Sequence, residues 1–448
     1  MQRYYLESQH EQAQPEAIQA LQLSKLKALL AKTWNVNSFY RDHWKAAGVR
    51  LECINSLDDF RELIPSVQKQ DFLDDQLAVP PYGRRLEHAL SLGEPLIVSN
   101  TSGTSGMGQE VHAQTATEFE ITQQVYAHGF RWAGLKRSEG LFLTLPITMM
   151  PGGRCEYHGA MGYGLTVYAV GNYDAAQKLD LLRRFQPAAL FGTTSYFAHL
   201  AAVSSETPPS PGMRVLITGA EHAGFSWLQR LERAWNAKAY DRYGSTQSGN
   251  DHMFACERGI GTRERLGTLH NTDLYHIVEV LNPETGRHVE HGEEGEIYMT
   301  SLYRTDTPAI RVRMRDRAIW HEPGSCPCER PYSGAEMCSI GRIDDVKKVK
   351  GVNIWPQAVD DLVFGIDEVD EYQVVLTSSD TEADMATVRV MLGTTLSDRK
   401  ASDVSDRVAT ELRRRIGISF TVEILEPGSL ERSEYKARRW IDQRNRED

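Results

Sequence analysis

Leu141-Phe142-Leu143-Thr144-Leu145 is an apolar run of strand length. Leu165-Thr166-Val167-Tyr168-Ala169-Val170 and Arg214-Val215-Leu216-Ile217-Thr218 repeat its character further along the chain. Each run is short and built largely from branched or aromatic residues, the pattern of a strand buried on both faces. Helical patterns, such as residues 175–185, separate them. Strand-sized runs alternating with helices predict an α/β fold, a sheet with helices laid over it.

Toward the carboxyl end the character changes. Tyr275-His276-Ile277-Val278-Glu279-Val280-Leu281 and Gly295-Glu296-Ile297-Tyr298-Met299-Thr300 are linked by a segment that opens with Asn282-Pro283-Glu284-Thr285-Gly286. Two such runs around turn residues read as antiparallel β structure. From about Asp344 a smaller α+β pattern follows: a hairpin around Gly351, a helix over 356–364, strands at 372–377 and 386–392, and a helix over 402–416. The boundary is placed between Arg342 and Asp345, giving a large unit of residues 1–342 and a small one of 343–448. Toward the amino end, Leu21, Leu23, Leu26, Leu29 and Leu30 recur at helical spacing within 17–32. Ser56 caps a second helix whose first turn holds Asp58 and Asp59.

Composition narrows the class. The 448 residues carry a formal net charge of -11 without a basic stripe, which argues against a nucleic-acid or anionic-membrane surface. The amino terminus has no apolar signal core, and no apolar run has the length of a membrane span. Six unevenly spaced cysteines do not make a secreted disulfide framework. The expectation is a cytoplasmic protein with free thiols or a metal site.

Ser99-Asn100-Thr101-Ser102-Gly103-Thr104-Ser105-Gly106 follows the apolar run Leu96-Ile97-Val98. A strand running into a Ser/Thr/Gly loop suits phosphate, because glycines let backbone N–H groups turn inward while hydroxyls donate to anionic oxygens. No Gly-Lys-Ser/Thr follows, so this is not a Walker A loop. Composition alone also fits a surface linker.

Downstream segments resolve that ambiguity. Tyr240-Asp241-Arg242-Tyr243-Gly244-Ser245-Thr246, Arg311-Val312-Arg313-Met314-Arg315-Asp316 and Gly341-Arg342-Ile343-Asp344-Asp345 follow the loop in order. Then come Gly351-Val352-Asn353-Ile354-Trp355-Pro356 and the tail Gly428-Ser429-Leu430-Glu431-Arg432-Ser433-Glu434-Tyr435-Lys436-Ala437-Arg438-Arg439. In this order, over nearly the full length, the chain resembles the adenylate-forming superfamily and, within it, the phenylacetate-CoA ligase-like branch. The resemblance implies a large AMP-binding domain with parallel and mixed sheets and a β subdomain, followed by a small mobile α+β domain. It implies ATP and Mg²⁺ as cofactors. A small, aromatic carboxylic acid would be activated to an acyl-adenylate and passed to the thiol of CoA. Delivery to a carrier-protein thiol or an amine, and a non-catalytic nucleotide-binding descendant, are the alternatives. A homodimer is one admitted assembly.

Residue roles come with the resemblance. Thr101, Ser102, Gly103, Thr104, Ser105 and Gly106 would cradle phosphates. Gly219, Ala220 and Glu221 would line the adenine pocket with Tyr243, beside Gly244 and Ser245. Thr246 would contact the α-phosphate, and Asp316 and Arg342 would hold the ribose. Lys436 would be the catalytic lysine and Asp344 the hinge. The chemistry suits these types: carboxylate and triphosphate are both anions, so fixed donors and a lysine at the transferring phosphoryl lower the barrier. No general base is needed, since the attacking carboxylate is ionised at neutral pH. Two departures stand out. Gln247 occupies the position after Tyr-Gly-Ser-Thr where the family usually has a Mg²⁺-holding Glu, and a neutral amide is the weaker ligand for a hard cation. Met107 stands where relatives often carry a lysine.

Within the resembling branch a Cys-x-Cys pair joined by an upstream Cys and a His forms a structural zinc site. Cys326 and Cys328 supply the pair, with Cys256 and His270 the positional matches. Three thiolates and an imidazole would close a tetrahedral shell. Unligated thiols, or Cys338 replacing one of the four, remain open at this stage. The acid pocket is expected from residues 146–158 and 192–196, with Met149, Tyr157, His158 and Tyr196 offering apolar and aromatic surface.

Overall fold

The computed structural model describes residues 3–101, 108–378, 384–430 and 438–444. A twelve-stranded sheet spans the larger part of the chain. Its parallel half runs in the order Thr166–Ala169, Gly140–Leu143, Ala189–Gly192, Val215–Thr218 and Lys238–Gly244. The inner three of these five are almost wholly buried, as their apolar composition requires. Thr166–Ala169 differs from the expectation of a buried strand. It pairs on one side only, and all four residues stay partly exposed. The hydroxyl of Thr166 suits this edge.

At Lys238–Gly244 the sheet changes sense. Asp251–Ala255, Thr268–Asn271, Gly334–Glu336, Val312–His321, Glu294–Ser301 and His276–Leu281 continue it antiparallel. The short strand Gly341–Arg342 pairs with Val312–His321. Separately, Leu96–Asn100 and Val111–Thr115 form an antiparallel hairpin whose tip carries the Ser/Thr/Gly loop.

The opening helix runs over Pro15–Val36 and buries Ile18, Leu26, Leu29 and Leu30. Leu21 points outward, 41% exposed, because the buried stripe falls on the 18/22/26/29/30/33 face. Ser56 accepts from Asp59 N at 3.0 Å, the capping bond its position predicts.

Beyond Arg342 the chain forms a hairpin, Lys347–Val349 with Val352–Ile354, and a four-stranded sheet of Val369–Ser378, Asp384–Leu392, Thr421–Leu425 and Trp440–Asp442. Helices Pro356–Phe364 and Asp398–Ile416 accompany it. Pro356–Phe364 docks on the helix Phe225–Trp235: the rings of Trp227 and Phe364 lie 4.1 Å apart, and Ser226 N donates to Asp361 Oδ1 at 2.8 Å. Among the described residues, no helix is long and apolar enough to cross a membrane.

Candidate functional site

Four of the five parallel strands deliver sequence-predicted residues at their carboxyl ends. Met149 follows Gly140–Leu143, Tyr196 follows Ala189–Gly192, and Gly219, Ala220 and Glu221 follow Val215–Thr218. Tyr243 and Gly244 close Lys238–Gly244, with Ser245, Thr246 and Gln247 next. Loops converge at such ends, which is why open parallel sheets bind ligands there.

Glu221 is held in place by its neighbours, accepting from Thr194 Oγ1 and Ser195 N at 2.9 Å and from Ser195 Oγ at 2.6 Å. Ala220 adopts φ +61°, a left-handed conformation that costs a residue with a Cβ and is commonest at functional turns. The turn after Tyr243 is stapled by Ser245 N to Ser248 Oγ at 2.9 Å and Ser248 N to Ser245 Oγ at 3.1 Å. Gly244 tolerates no side chain: a Cβ there would meet Asp251 Cα at 2.3 Å and Asn250 O at 2.4 Å. Both are backbone, so Gly244→Ala is expected to destabilise by about 1–3 kcal/mol, read from urea unfolding.

Tyr243 donates its hydroxyl to Asp316 Oδ2 at 2.7 Å. Asp316 lies opposite Arg342 in the strand pairing. Burial pushes the Asp316 carboxyl up to about 6, against the opposing pull of the Tyr243 hydroxyl and Arg342. Arg342 and Arg315 both reach Asp344, at 3.7 Å and 2.5 Å, so the expected hinge residue sits between two guanidiniums.

The loop hairpin joins this group. Thr101 and Glu110 close its tip through two 3.0 Å bonds, Thr101 N to Glu110 O and Glu110 N to Thr101 Oγ1. Across the gap, Gln247 Nε2 donates to Glu110 Oε2 at 2.9 Å, and Gln114 Nε2 to Gly249 O at 2.9 Å. Three segments remote in sequence thus meet. Ser102, Gly103, Thr104, Ser105, Gly106, Met107 and Lys436 lie outside the described residues. Gln247 Oε1 makes no hydrogen bond among the described residues, whereas Glu110 Oε1 is buried and stands 3.6 Å from His112 Nε2. An amide carbonyl oxygen fits a hard divalent cation.

Residues expected to line the acid pocket divide. The 146–158 segment touches the loop's approach, with Asn100 N donating to Met149 O at 3.3 Å and Arg154 Nη2 to Ser99 Oγ at 2.5 Å. Met149 and Tyr157 are open to solvent. His158 stacks on Phe119 at 4.5 Å and meets Gln123 Nε2 at 3.1 Å. Tyr196 is buried instead, and its hydroxyl accepts from Lys178 Nζ at 2.8 Å.

Two features escaped sequence reading. Glu110 is one. The other is Arg242, buried among the rings of Tyr126, Phe130, Phe191 and Phe254 and paired with Glu156. Burial raises the Glu156 carboxyl to about 7. This cage anchors the strand one residue before Tyr243, and only the tertiary packing of distant aromatics creates it.

Cys256, His270, Cys326 and Cys328 gather their donor atoms within 4.8 Å of one another, all buried. Cys328 Sγ lies 3.2 Å from His270 Nε2. Tetrahedral zinc with Zn–S of about 2.3 Å needs donors at about this separation. His270 Nδ1 faces Tyr332 O at 3.4 Å, which leaves Nε2 to act as ligand. Nearby, buried Arg330 pairs with Glu11 and Glu257 at 2.8 and 2.6 Å. Cys338, the alternative ligand, is not in the group.

Comparison with known proteins follows the same order of segments. The AMP-binding enzyme profile matches residues 9–303, and that of the AMP-binding enzyme C-terminal domain matches 351–444. The chain is 26% identical to a phenylacetate-coenzyme A ligase of Escherichia coli (strain K12), covering 97% of each. It is also 26% identical to one from Pseudomonas putida, over 97% of this chain and 96% of that one. A solved 2-hydroxyisobutyryl-CoA ligase, in the postadenylation state with its acyl-AMP, superposes with a TM-score of 0.86. It is 25% identical, over 97% of this chain and 91% of that one.

Proposed function

The chain belongs to the AMP-binding enzyme family, and on that premise we propose that it is an AMP-forming acid–CoA ligase acting on a small aromatic acid. In the first step a carboxylate oxygen attacks the α-phosphorus of ATP. The acyl–phosphate bond forms and the α–β anhydride breaks, releasing pyrophosphate. In the second, the CoA sulfur attacks the acyl carbon, and the C–O bond to AMP breaks as the thiol proton passes to solvent.

One observation carries the reading: Tyr243, Asp316, Arg342 and the loop hairpin meet at the carboxyl ends of the parallel strands. In this scheme Tyr243 and Gly219-Ala220-Glu221 take the adenine, Asp316 and Arg342 the ribose, and residues 101–106 with Thr246 the phosphates. Met149, Tyr157 and His158 border the acid; an aromatic ring suits the Phe119–His158 stack beside them. Mg²⁺ would neutralise phosphate charge near Gln247. Lys436 is brought to the transferring phosphoryl by the 343–448 unit turning about Asp344. Cys256, His270, Cys326 and Cys328 would hold a structural zinc, which would take no part in the chemistry.

Pyrophosphate exchange into ATP across a panel of carboxylic acids tests this. Exchange that depends on an aromatic acid, followed by thioester on adding CoA, is expected; no acid-dependent exchange overturns it. Thioester with a carrier protein instead of CoA would reassign the acceptor.

A pH dependence follows from Asp316. Two ribose hydroxyls need a carboxylate that accepts from both. As pH falls through about 6 the group protonates, so KM for ATP is expected to rise about tenfold per pH unit below that point. Asp316→Asn should lose this dependence, leaving only ATP's own titration. The stability effect has the opposite sense: the folded-state value lies above the unfolded one of about 3.9, so this group costs stability as pH rises between the two.

A further inference from the structure

Gln247 and Glu110 come from segments 137 positions apart, yet they face each other across the loop hairpin. The Glu110 side chain is fully buried. Arg85 lies behind it, on the far side of His112. His112 Nε2 stands 3.6 Å from Glu110 Oε1, and Arg85 Nη1 reaches the opposite ring nitrogen at 3.2 Å.

An ionised carboxylate only accepts hydrogen bonds. The Gln247 atom that meets Glu110 is the amide nitrogen, donating to Oε2 at 2.9 Å, and the amide oxygen is turned away from it. The backbone of Gln247 is pinned as well, its carbonyl accepting from Arg304 Nη1 at 2.8 Å. The pair leaves the Gln247 amide oxygen unspent beside a buried carboxyl group.

We propose that Glu110 is a positioning residue for divalent-cation use, fixing the Gln247 amide so that its oxygen serves the metal–nucleotide complex while Glu110 supplies the charge. A lone glutamate at position 247 would give both from one side chain; here they are split between two. This rests on the reading of the chain as an ATP-using ligase. It also inverts a simple expectation. Gln247→Glu does not repair the site, because it sets two carboxylates against each other.

The test is a four-protein cycle: parent, Glu110→Gln, Gln247→Glu and the double exchange, all full length. Mn²⁺ binding with α,β-methylene-ATP is measured by electron paramagnetic resonance. Half-saturation by Mg²⁺ is measured in pyrophosphate exchange. Each single variant is expected to weaken Mn²⁺ binding by about 10- to 100-fold. The double exchange swaps the two groups, so that an amide at position 110 donates to a carboxylate at position 247, and should return most of that loss. Losses that simply add in the double variant, or singles that bind Mn²⁺ like the parent, overturn the proposal. If Glu110→Gln does not fold, Gln247→Met on the less buried partner should show the same loss of Mn²⁺ affinity, and unchanged affinity again overturns it. A parent lacking acid-dependent exchange would defeat the ligase reading itself. An active parent with unaffected singles would remove only the pairing.

Discussion

Lys436→Ala is expected to slow acyl-adenylate formation by about 10²- to 10³-fold, the usual cost of losing one fixed donor to a developing charge. Two anions must meet in the first step, so a cation at the transferring phosphoryl lowers the barrier. In the proposed scheme the tail brings that charge. Lysine suits this because its ammonium is a compact charge on a flexible stem, able to touch the acid carboxylate and the α-phosphate together. Two measurements isolate the effect. Single-turnover release of pyrophosphate should fall steeply, while transfer from pre-formed acyl-adenylate to CoA should change far less. Adenylate formed at the parent rate would mean that Lys436 takes no part.

Removing a cysteine from the buried cluster is the second large effect. Cys256→Ser is expected to cost on the order of 5 kcal/mol and to lower the zinc content of purified protein below stoichiometric. The cause is local. Cys256 directly follows one strand, His270 lies in the next, and Cys326 and Cys328 sit in a loop that has little regular hydrogen bonding of its own. Without a cation, three sulfurs and an imidazole would share one dry pocket. Cys53→Ser, at a half-buried thiol outside the cluster, should stay within about 0.5 kcal/mol. Elemental analysis with calorimetry reads both; equal melting of the two variants would end the structural-zinc assignment.

Much of the candidate site was legible because its residues fall in short contiguous motifs, with Tyr243 and Arg342 near strand ends and Ser245 to Gln247 in the loop that follows. Tyr243, Asp316 and Arg342 could be singled out as strings, and the structure brings them together. The four ligand-type residues were legible as a set, though spacing alone left Cys338 in contention; only the three-dimensional grouping excludes it. Glu110 was invisible for a plain reason. Its meaning lies in facing Gln247, and nothing in a Gly-Gln-Glu-Val string tells which distant side chain it will meet. The Arg242 cage was hidden likewise, since four aromatics scattered from Tyr126 to Phe254 become a group only through the sheet. Leu21 and the Thr166–Ala169 edge show the converse. Apolar spacing announces an element but not which flank of it neighbours will cover.

Were Asp316 to take the ribose as proposed, the Tyr243 hydroxyl, already 2.7 Å from Oδ2, would share that acceptor with the sugar or cede it. A 2′,3′-dideoxy sugar would bring no donor of its own, so the phenol would keep its seat and the choice between the two sugars would be read at this one carboxylate.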